Sequence, residues 1–183
     1  MLQRKSFTSS RGHRYTYYCH VPRTPHTTMD KDEPCLPTLL FLHGFPTNSR
    51  LWKHQAEFFA LKGFPLIIPD LLGFGESAKP MDPAQYRLKL VCQDVGELLR
   101  VECAEHVIVV GHDLSVSTLL FGRACRLNSC IRRGCHVASR LAHLYPGRFL
   151  GFAFLSVPYT VPQPHLSMDD VAREVGVFPL VTV

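Results

Sequence analysis

The sequence predicts an α/β fold, with a mostly parallel sheet and helices flanking it. Short continuous apolar runs have the length of strands, and the segments between them carry apolar residues at helical spacing. These two kinds of segment alternate along the chain, which is the pattern of right-handed βαβ units. The 183 residues, 46% of them hydrophobic, suit one domain with an ordinary buried core.

Five segments predict strands. Four of them are continuous apolar runs, which is typical of strands buried on both faces. A more polar segment near the N-terminus predicts an outer, antiparallel strand. In chain order the five segments are Tyr15–Val21, Leu39–Leu42, Leu66–Ile68, Val107–Val110 and Phe152–Val157.

Three segments between these runs predict helices. The first follows a candidate N-cap at Asn48 or Ser49 and stops at Gly63, a residue suited to a helix end. The second, Tyr86–Val101, places five apolar residues on one face. The third is Val137–Tyr145.

The net charge of +5 is local rather than spread over the chain. Residues 116–136, here called the basic segment, hold four arginines, three cysteines and no acid, and without them the net charge is +1. We therefore expect no nucleic-acid partner. No apolar run reaches the roughly 18–20 residues of a membrane span, and the N-terminus lacks the apolar stretch of a secretory signal. These features predict a cytoplasmic protein with reduced cysteines and no membrane span.

Candidate functional residues follow three of the predicted strands, because ligands of parallel sheets bind at the carboxyl ends of strands. After Leu42 comes the sequence His43, Gly44, Phe45, Pro46. Glycine permits a sharp turn and proline fixes the next geometry, so backbone N–H groups can point outward. An ordinary structural turn is the alternative interpretation.

The loop after Ile68 contains two glycines, Gly73 and Gly75, between Asp70 and Ser77. A phosphate-binding loop is disfavoured, because there is no third glycine at the required spacing and no Gly-Lys-Ser/Thr. The favoured interpretation is a tight structural turn, in which the Asp70 and Ser77 side chains satisfy local backbone donors.

The loop after Val110 begins with Gly111, His112 and Asp113. Small residues two positions before and two after Asp113 suit a strained elbow between a strand and a helix, which holds one side chain clear of the sheet. A carboxylate nucleophile there would form an ester by attacking a saturated electrophilic carbon. The alternative is a helix N-cap, with Asp113 bonded to amides of the first turn.

Taken together, the three loops resemble the α/β-hydrolase superfamily (AB hydrolase-1 domain), and epoxide hydrolases in particular. The resemblance runs from about Tyr15 to about Pro162, apart from the basic segment. It is supported by Trp52-Lys53-His54-Gln55, by Ala138–Pro146 and by Val157-Pro158-Tyr159.

The resemblance implies that Asp113 opens a small apolar epoxide and that the amides of Phe45 and Leu114 form the oxyanion hole. It also implies a general-base histidine and its acid partner far downstream, two tyrosines of a helical cap, and neither a metal nor an organic cofactor. Residues 1–165 would be the N-terminal part of the hydrolase core, and residues 166–183 the start of the cap.

The basic segment departs from the family, which has only a short run of small residues between the nucleophile and the next helix. A zinc site is one interpretation, a lid insertion is a second, and a translated intron is the third. We favour the third, because Val116-Ser117 can be encoded by GTAAGT, a common splice-donor sequence. The zinc ligands would be Cys125, Cys130, Cys135 and His136, whose spacing is atypical.

The sequence thus predicts an incomplete α/β-hydrolase fold that is inactive alone, because no histidine after Asp113 suits the role of general base. A haloalkane or haloacid dehalogenase-like hydrolase shares the aspartate nucleophile and is one alternative. A non-catalytic fragment of the fold is another. A serine esterase is disfavoured by the absence of any Gly-x-Ser-x-Gly motif.

Overall fold

A computed structural model describes residues 2–22, 36–112 and 134–156. These residues form one six-stranded sheet with helices on both of its faces. The strands are β1 (Gln3–Thr8), β2 (Arg14–His20), β3 (Thr38–Leu42), β4 (Leu66–Pro69), β5 (Val107–His112) and β6 (Phe149–Leu155), and the helices are α1 (Lys53–Leu61), α2 (Leu88–Val101) and α3 (Gly134–Leu144).

The sheet has the strand order β1-β2-β4-β3-β5-β6. The first two strands form an antiparallel hairpin, and β2 also pairs antiparallel with β4. From β4 to β6 all neighbouring strands are parallel; in this register Leu39 of β3 lies opposite Leu66 on one side and Ile108 on the other. The predicted α/β fold with a mostly parallel sheet is confirmed.

Each face of the sheet has its own apolar core. On one face Trp52, which directly precedes α1, and Ala56 of α1 are buried against Leu39 and Phe41 of β3. On the other face α2 and α3 bury their apolar residues against Leu40 and its neighbours. Successive residues of a strand point to opposite faces, so a strand covered on both faces is apolar at every position. This explains the continuous apolar runs of β3 and β4.

The five predicted strands are present, and their ends lie within three residues of the predicted ends. A further strand, β1, was not predicted, because its residues are mostly exposed and polar. Burial alternates along β5, where Ile108 and Val110 are only partly buried, and β6 is also only partly buried, so both strands are less buried than expected. β6 begins at Phe149, three residues before the predicted start; Val157, its predicted end, lies outside the described residues.

The helices begin at positions that local hydrogen bonds explain. The Asn48 side chain accepts a hydrogen bond from the Arg50 amide at 3.0 Å and caps a single 3-10 turn, from which α1 continues. Gly63, with φ of 82°, follows the end of α1. α2 begins two residues later than predicted. α3 begins at Gly134 rather than Val137, so the last three residues of the basic segment are helical.

Within the described ranges, no helix is long and apolar enough to cross a membrane. The four cysteines that the structure describes, Cys19, Cys92, Cys103 and Cys135, form no disulfide with one another.

Candidate active site

The carboxyl ends of β4, β3 and β5 meet at one edge of the sheet, because these three strands are adjacent and parallel. The loop after β3 leads to α1 on one face, whereas the chain after β5 returns as α3 on the opposite face. Neighbouring strands whose connections leave to opposite faces open a crevice at their carboxyl ends. The fold therefore brings the loops after β3 and β4 and the end of β5, where the third loop begins, to one edge of the sheet.

His43 links the first of these loops to the second. Its ring is fully buried, and Nε2 accepts a hydrogen bond from the Leu71 amide at 3.0 Å. A ring nitrogen that accepts cannot carry the proton, so the proton of the neutral imidazole lies on Nδ1. There it is donated to the Gly44 carbonyl at 3.0 Å. His43 thus holds the two loops together as a neutral side chain.

Gly44 ends β3 in a tight turn. Its carbonyl accepts from the Thr47 amide at 3.1 Å and from the Thr47 hydroxyl at 2.8 Å. The turn includes a cis peptide bond between Phe45 and Pro46. Phe45 is half-buried, and its ring lies edge-on to that of Phe74, with centroids 6.3 Å apart. These contacts fix the backbone on either side of the Phe45 amide, the donor that the resemblance assigns to an oxyanion hole.

Asp70 is buried and organises the second loop through its carboxylate. Oδ1 accepts from the Ser49 amide at 2.8 Å, and Oδ2 accepts from the Glu76 amide at 2.9 Å. The Ser77 hydroxyl donates to the Asp70 carbonyl at 2.6 Å and accepts from the Thr16 amide at 2.9 Å. The polar groups of Asp70 and Ser77 are therefore used within the turn, which agrees with a structural role for both.

The two glycines of this loop have positive φ angles, 91° at Gly73 and 49° at Gly75. A Cβ at Gly73 would lie 2.9 Å from the Tyr86 ring, and a Cβ at Gly75 would overlap the Asp70 carboxylate. Both positions require glycine, because its backbone adopts positive φ and because a Cβ would clash. The Gly73 amide donates to the Ala78 carbonyl within the chain, which agrees with a structural turn rather than a phosphate-binding loop.

The third loop follows Gly111 and His112 at the end of β5. A Cβ at Gly111 would lie 2.7 Å from the Gly134 carbonyl oxygen, and a Cβ at Gly134 would overlap backbone atoms of His112 and Leu42. The start of α3 is thus packed directly on the ends of β3 and β5. The predicted nucleophile Asp113 and the predicted oxyanion-hole residue Leu114 lie outside the described residues.

Two aromatic side chains beside this edge were not singled out from the sequence as a pair. The rings of Trp52 and His112 lie perpendicular, with centroids 6.2 Å apart. Trp52 Nε1 and His112 Nδ1 are buried without a hydrogen-bond partner in the described part of the chain. Nothing in the sequence indicates this contact, because the two residues lie 60 positions apart and meet only through the pairing of β3 with β5.

The zinc interpretation gains no support. Among the described residues no group of three or more His, Cys, Asp or Glu side chains is placed to hold a metal. Of the four proposed ligands, Cys125 and Cys130 lie outside the described residues. Cys135 directs its sulfur at the carbonyls of Gly111 and Leu155, at 3.2 and 3.4 Å.

Comparison with known proteins agrees with this geometry. The sequence profile of the alpha/beta hydrolase fold matches residues 37–114. The chain is 28% identical over 142 residues to Bifunctional epoxide hydrolase 2 of Mus musculus, an alignment that covers 78% of this chain and 22% of the mouse protein. It is 40% identical over 77 residues to Epoxide hydrolase 2 of Siraitia grosvenorii, covering 42% of this chain and 24% of that protein.

Among solved structures, epoxide hydrolase from Vigna radiata superposes with a TM-score of 0.71 at 21% identity, over 95% of this chain and 44% of that one. The chain spans about a quarter of the length of the two curated relatives and less than half of this structure. The described residues therefore cover part of an α/β-hydrolase fold, and the sequence is epoxide hydrolase-like.

Proposed function

We propose that this epoxide hydrolase-like α/β-hydrolase chain opens an epoxide by attack of the Asp113 carboxylate on a ring carbon. The observation that carries the proposal is that the loops after β3 and β4 and the end of β5 lie together at the carboxyl edge of the sheet. His43 and Leu71 hold the two loops together, and the start of α3 packs against Gly111 at the end of β5. This arrangement supports the proposal that Asp113, the residue after His112, is the nucleophile of an elbow.

In the first step a carboxylate oxygen of Asp113 forms a bond to one epoxide carbon, and the bond from that carbon to the ring oxygen breaks. The ring oxygen leaves with the electron pair and takes a proton, which the resemblance assigns to tyrosines of a cap. The product is a hydroxyalkyl ester of Asp113. The relatives support an epoxide substrate, and we propose a small apolar one; the step as proposed uses no metal or organic cofactor.

In the second step water adds to the ester carbonyl, and the amides of Phe45 and Leu114 stabilise the resulting oxyanion. A general-base histidine accepts one proton of that water and then gives it to the alkoxide oxygen as the bond between this oxygen and the ester carbonyl carbon breaks, which releases the diol. The resulting carboxyl group restores the carboxylate by losing its proton, which replaces the proton that the epoxide oxygen took in the first step. The resemblance places this histidine and its acid partner downstream of the nucleophile. His136 and His143 both lie on α3, which leads away from the sheet edge towards β6.

We therefore expect the 183-residue polypeptide, tested alone, to form the Asp113 ester without multiple turnover. The chain is incubated with styrene oxide, digested and examined by mass spectrometry. The expected result is one added styrene oxide on the peptide that contains Asp113, and diol formation no faster than with denatured protein.

The matched controls are Asp113→Asn, which removes the nucleophile, and Asp82→Asn, which removes an exposed carboxylate in another loop. The first variant should lose the adduct and the second should keep it. An adduct that persists in Asp113→Asn contradicts the assignment of the nucleophile. A wild-type chain that is folded but never alkylated favours a non-catalytic fragment of the fold.

A further inference from the structure

A second feature with the properties of a binding site lies on the face of the sheet covered by α1. It is an open cavity of about 300 Å³, at the small end of the range of roughly 300–1,000 Å³ that ligand pockets occupy. Its apolar lining comes from Leu2, Tyr18, Ala56 and Ile68 together with Trp52. None of the loop residues assigned to epoxide opening lines this cavity.

The polar part of the lining consists of Ser49 and two cations, Arg50 and Lys53, and no described acidic residue lines the cavity. Both cations are exposed, and neither is ion-paired with an acid in the part of the chain that the structure describes. Arg50 lies on the 3-10 turn and Lys53 is the first residue of α1, so the two charges lie on consecutive turns. The cavity therefore combines an apolar interior with two positive charges that no described acidic residue neutralises.

We propose that this cavity binds a medium-chain fatty acid, with the carboxylate at Arg50 and Lys53 and the alkyl chain against Ala56 and Ile68. Burial of the chain removes apolar surface from water, and the two cations supply charge-assisted hydrogen bonds to the carboxylate. The small volume limits the length of chain that the cavity can bury. A neutral ligand of the same length leaves the cationic groups unused, so the site selects the anion.

The fluorescence of a tryptophan in the cavity can be used to measure this binding. Trp52 is the only tryptophan in the sequence, is 2% exposed and lines the cavity. Titration of the 183-residue protein with octanoate should therefore produce a saturable change in Trp52 fluorescence, weakened by salt. Octanol lacks the charge and acetate lacks the chain, so octanol should bind more weakly and acetate should cause no change.

Two charge variants test the role of the cations. In Arg50→Gln/Lys53→Gln the affinity for octanoate should fall on the order of fivefold to tenfold, the combined effect of two exposed ion pairs. Because both side chains are exposed, the double variant should keep its fold, which circular dichroism checks. Lys62→Gln removes a cation at the other end of α1, where it lies over the Phe58 ring, and should leave the affinity unchanged.

Equal binding of octanoate and octanol, or an unchanged affinity in the double variant, would overturn the proposal. So would a fluorescence change with vesicles of anionic phospholipid but none with octanoate, which would indicate a membrane surface as the ligand. No described residue that lines this cavity takes part in the alkylation of Asp113. The result of the alkylation experiment therefore neither supports nor contradicts the binding of a fatty acid here.

Discussion

Single residues at the loop edge are fixed by contacts within a loop and by contacts between loops. Asp70 shows both, because one carboxylate oxygen accepts from the Glu76 amide of its own loop and the other accepts from the Ser49 amide, which follows β3. Charge-assisted hydrogen bonds from backbone amides to a carboxylate are among the stronger interactions of a folded chain. The arrangement depends on the absence of a side chain at Gly75.

We predict that Gly75→Ala destabilises the protein by about 3 kcal/mol or more. About 1–2 kcal/mol comes from the left-handed backbone conformation, and the rest from displacing Asp70 from its amides. Gly147→Ala is the matched control, because Gly147 has φ of 82° but a Cβ there would meet nothing within 4 Å. Urea unfolding measures both variants. Equal losses in the two would show that the contact with Asp70 contributes nothing.

A second residue-scale prediction concerns Asp94, a fully buried acid of α2. Its carboxylate accepts from Arg11 at 2.7 Å and from the Tyr15 hydroxyl at 2.6 Å. Burial nevertheless raises the pKa of Asp94, and the contacts with Tyr15 and Arg11 offset only part of this.

Between the unfolded pKa of about 3.9 and the raised folded pKa, the native state binds more protons than the unfolded state. The free energy of unfolding therefore falls as pH rises through this window. Subtracting the unfolding free energy of Asp94→Asn from that of the wild type at each pH isolates the effect, and this difference should decrease with rising pH. A difference that increases with pH would mean that the pairing with Arg11 outweighs burial.

At the scale of elements, the sequence predicted those strands and helices whose apolar pattern follows from burial. β3 and β4 are covered on both faces and appear as continuous apolar runs. β1 escaped prediction because it pairs with one neighbour in the described part of the chain and exposes most of its side chains. The start of α3 was placed too late, because Gly134 and Cys135 follow a basic stretch and only their packing identifies them as helical.

The candidate site, like the strands and helices, could be predicted only in part. The loop motifs identified the carboxyl edge of the sheet, but the links across it were not readable from the sequence. The hydrogen bond from Leu71 to His43 and the contact of Trp52 with His112 both join residues far apart in the chain. Such contacts depend on strand order, which a local pattern does not encode.

The packing of α3 yields a prediction about the basic segment. Gly134 lies against the backbone of His112 and Leu42, so the end of β5 and the start of α3 are already in contact. Deletion of residues 116–133 should therefore join Ser115 to Gly134 through a short elbow and raise the thermal midpoint. Deletion of 116–136 is the matched control. It puts Val137 where only glycine fits and should lower the midpoint.

A lower midpoint after the longer deletion would mean that a translated intron ends at residue 133 rather than 136, because residues 134–136 belong to α3. If the shorter deletion destabilises the chain as much as the longer one, residues 116–133 contribute to the fold and the translated-intron interpretation fails. Comparison of transcripts with and without the corresponding bases provides an independent check at the level of the gene.

At the scale of the whole molecule, the sheet should be most stable at its centre and least stable at its ends. β3 is hydrogen-bonded to β4 and β5 and lies between the two apolar cores, whereas in the described ranges β6 pairs with β5 alone. β6 also carries two exposed leucines, Leu150 and Leu155.

Amide hydrogen exchange followed by NMR tests this gradient residue by residue. Amides open to exchange according to the local stability of the hydrogen bonds that they make. Those of β3 should be the slowest, and alternate amides of β6, the ones that point away from β5, should exchange at least about a hundredfold faster. Uniformly slow exchange along β6 would contradict this, and would mean that another segment of chain or a second molecule pairs with that edge in solution.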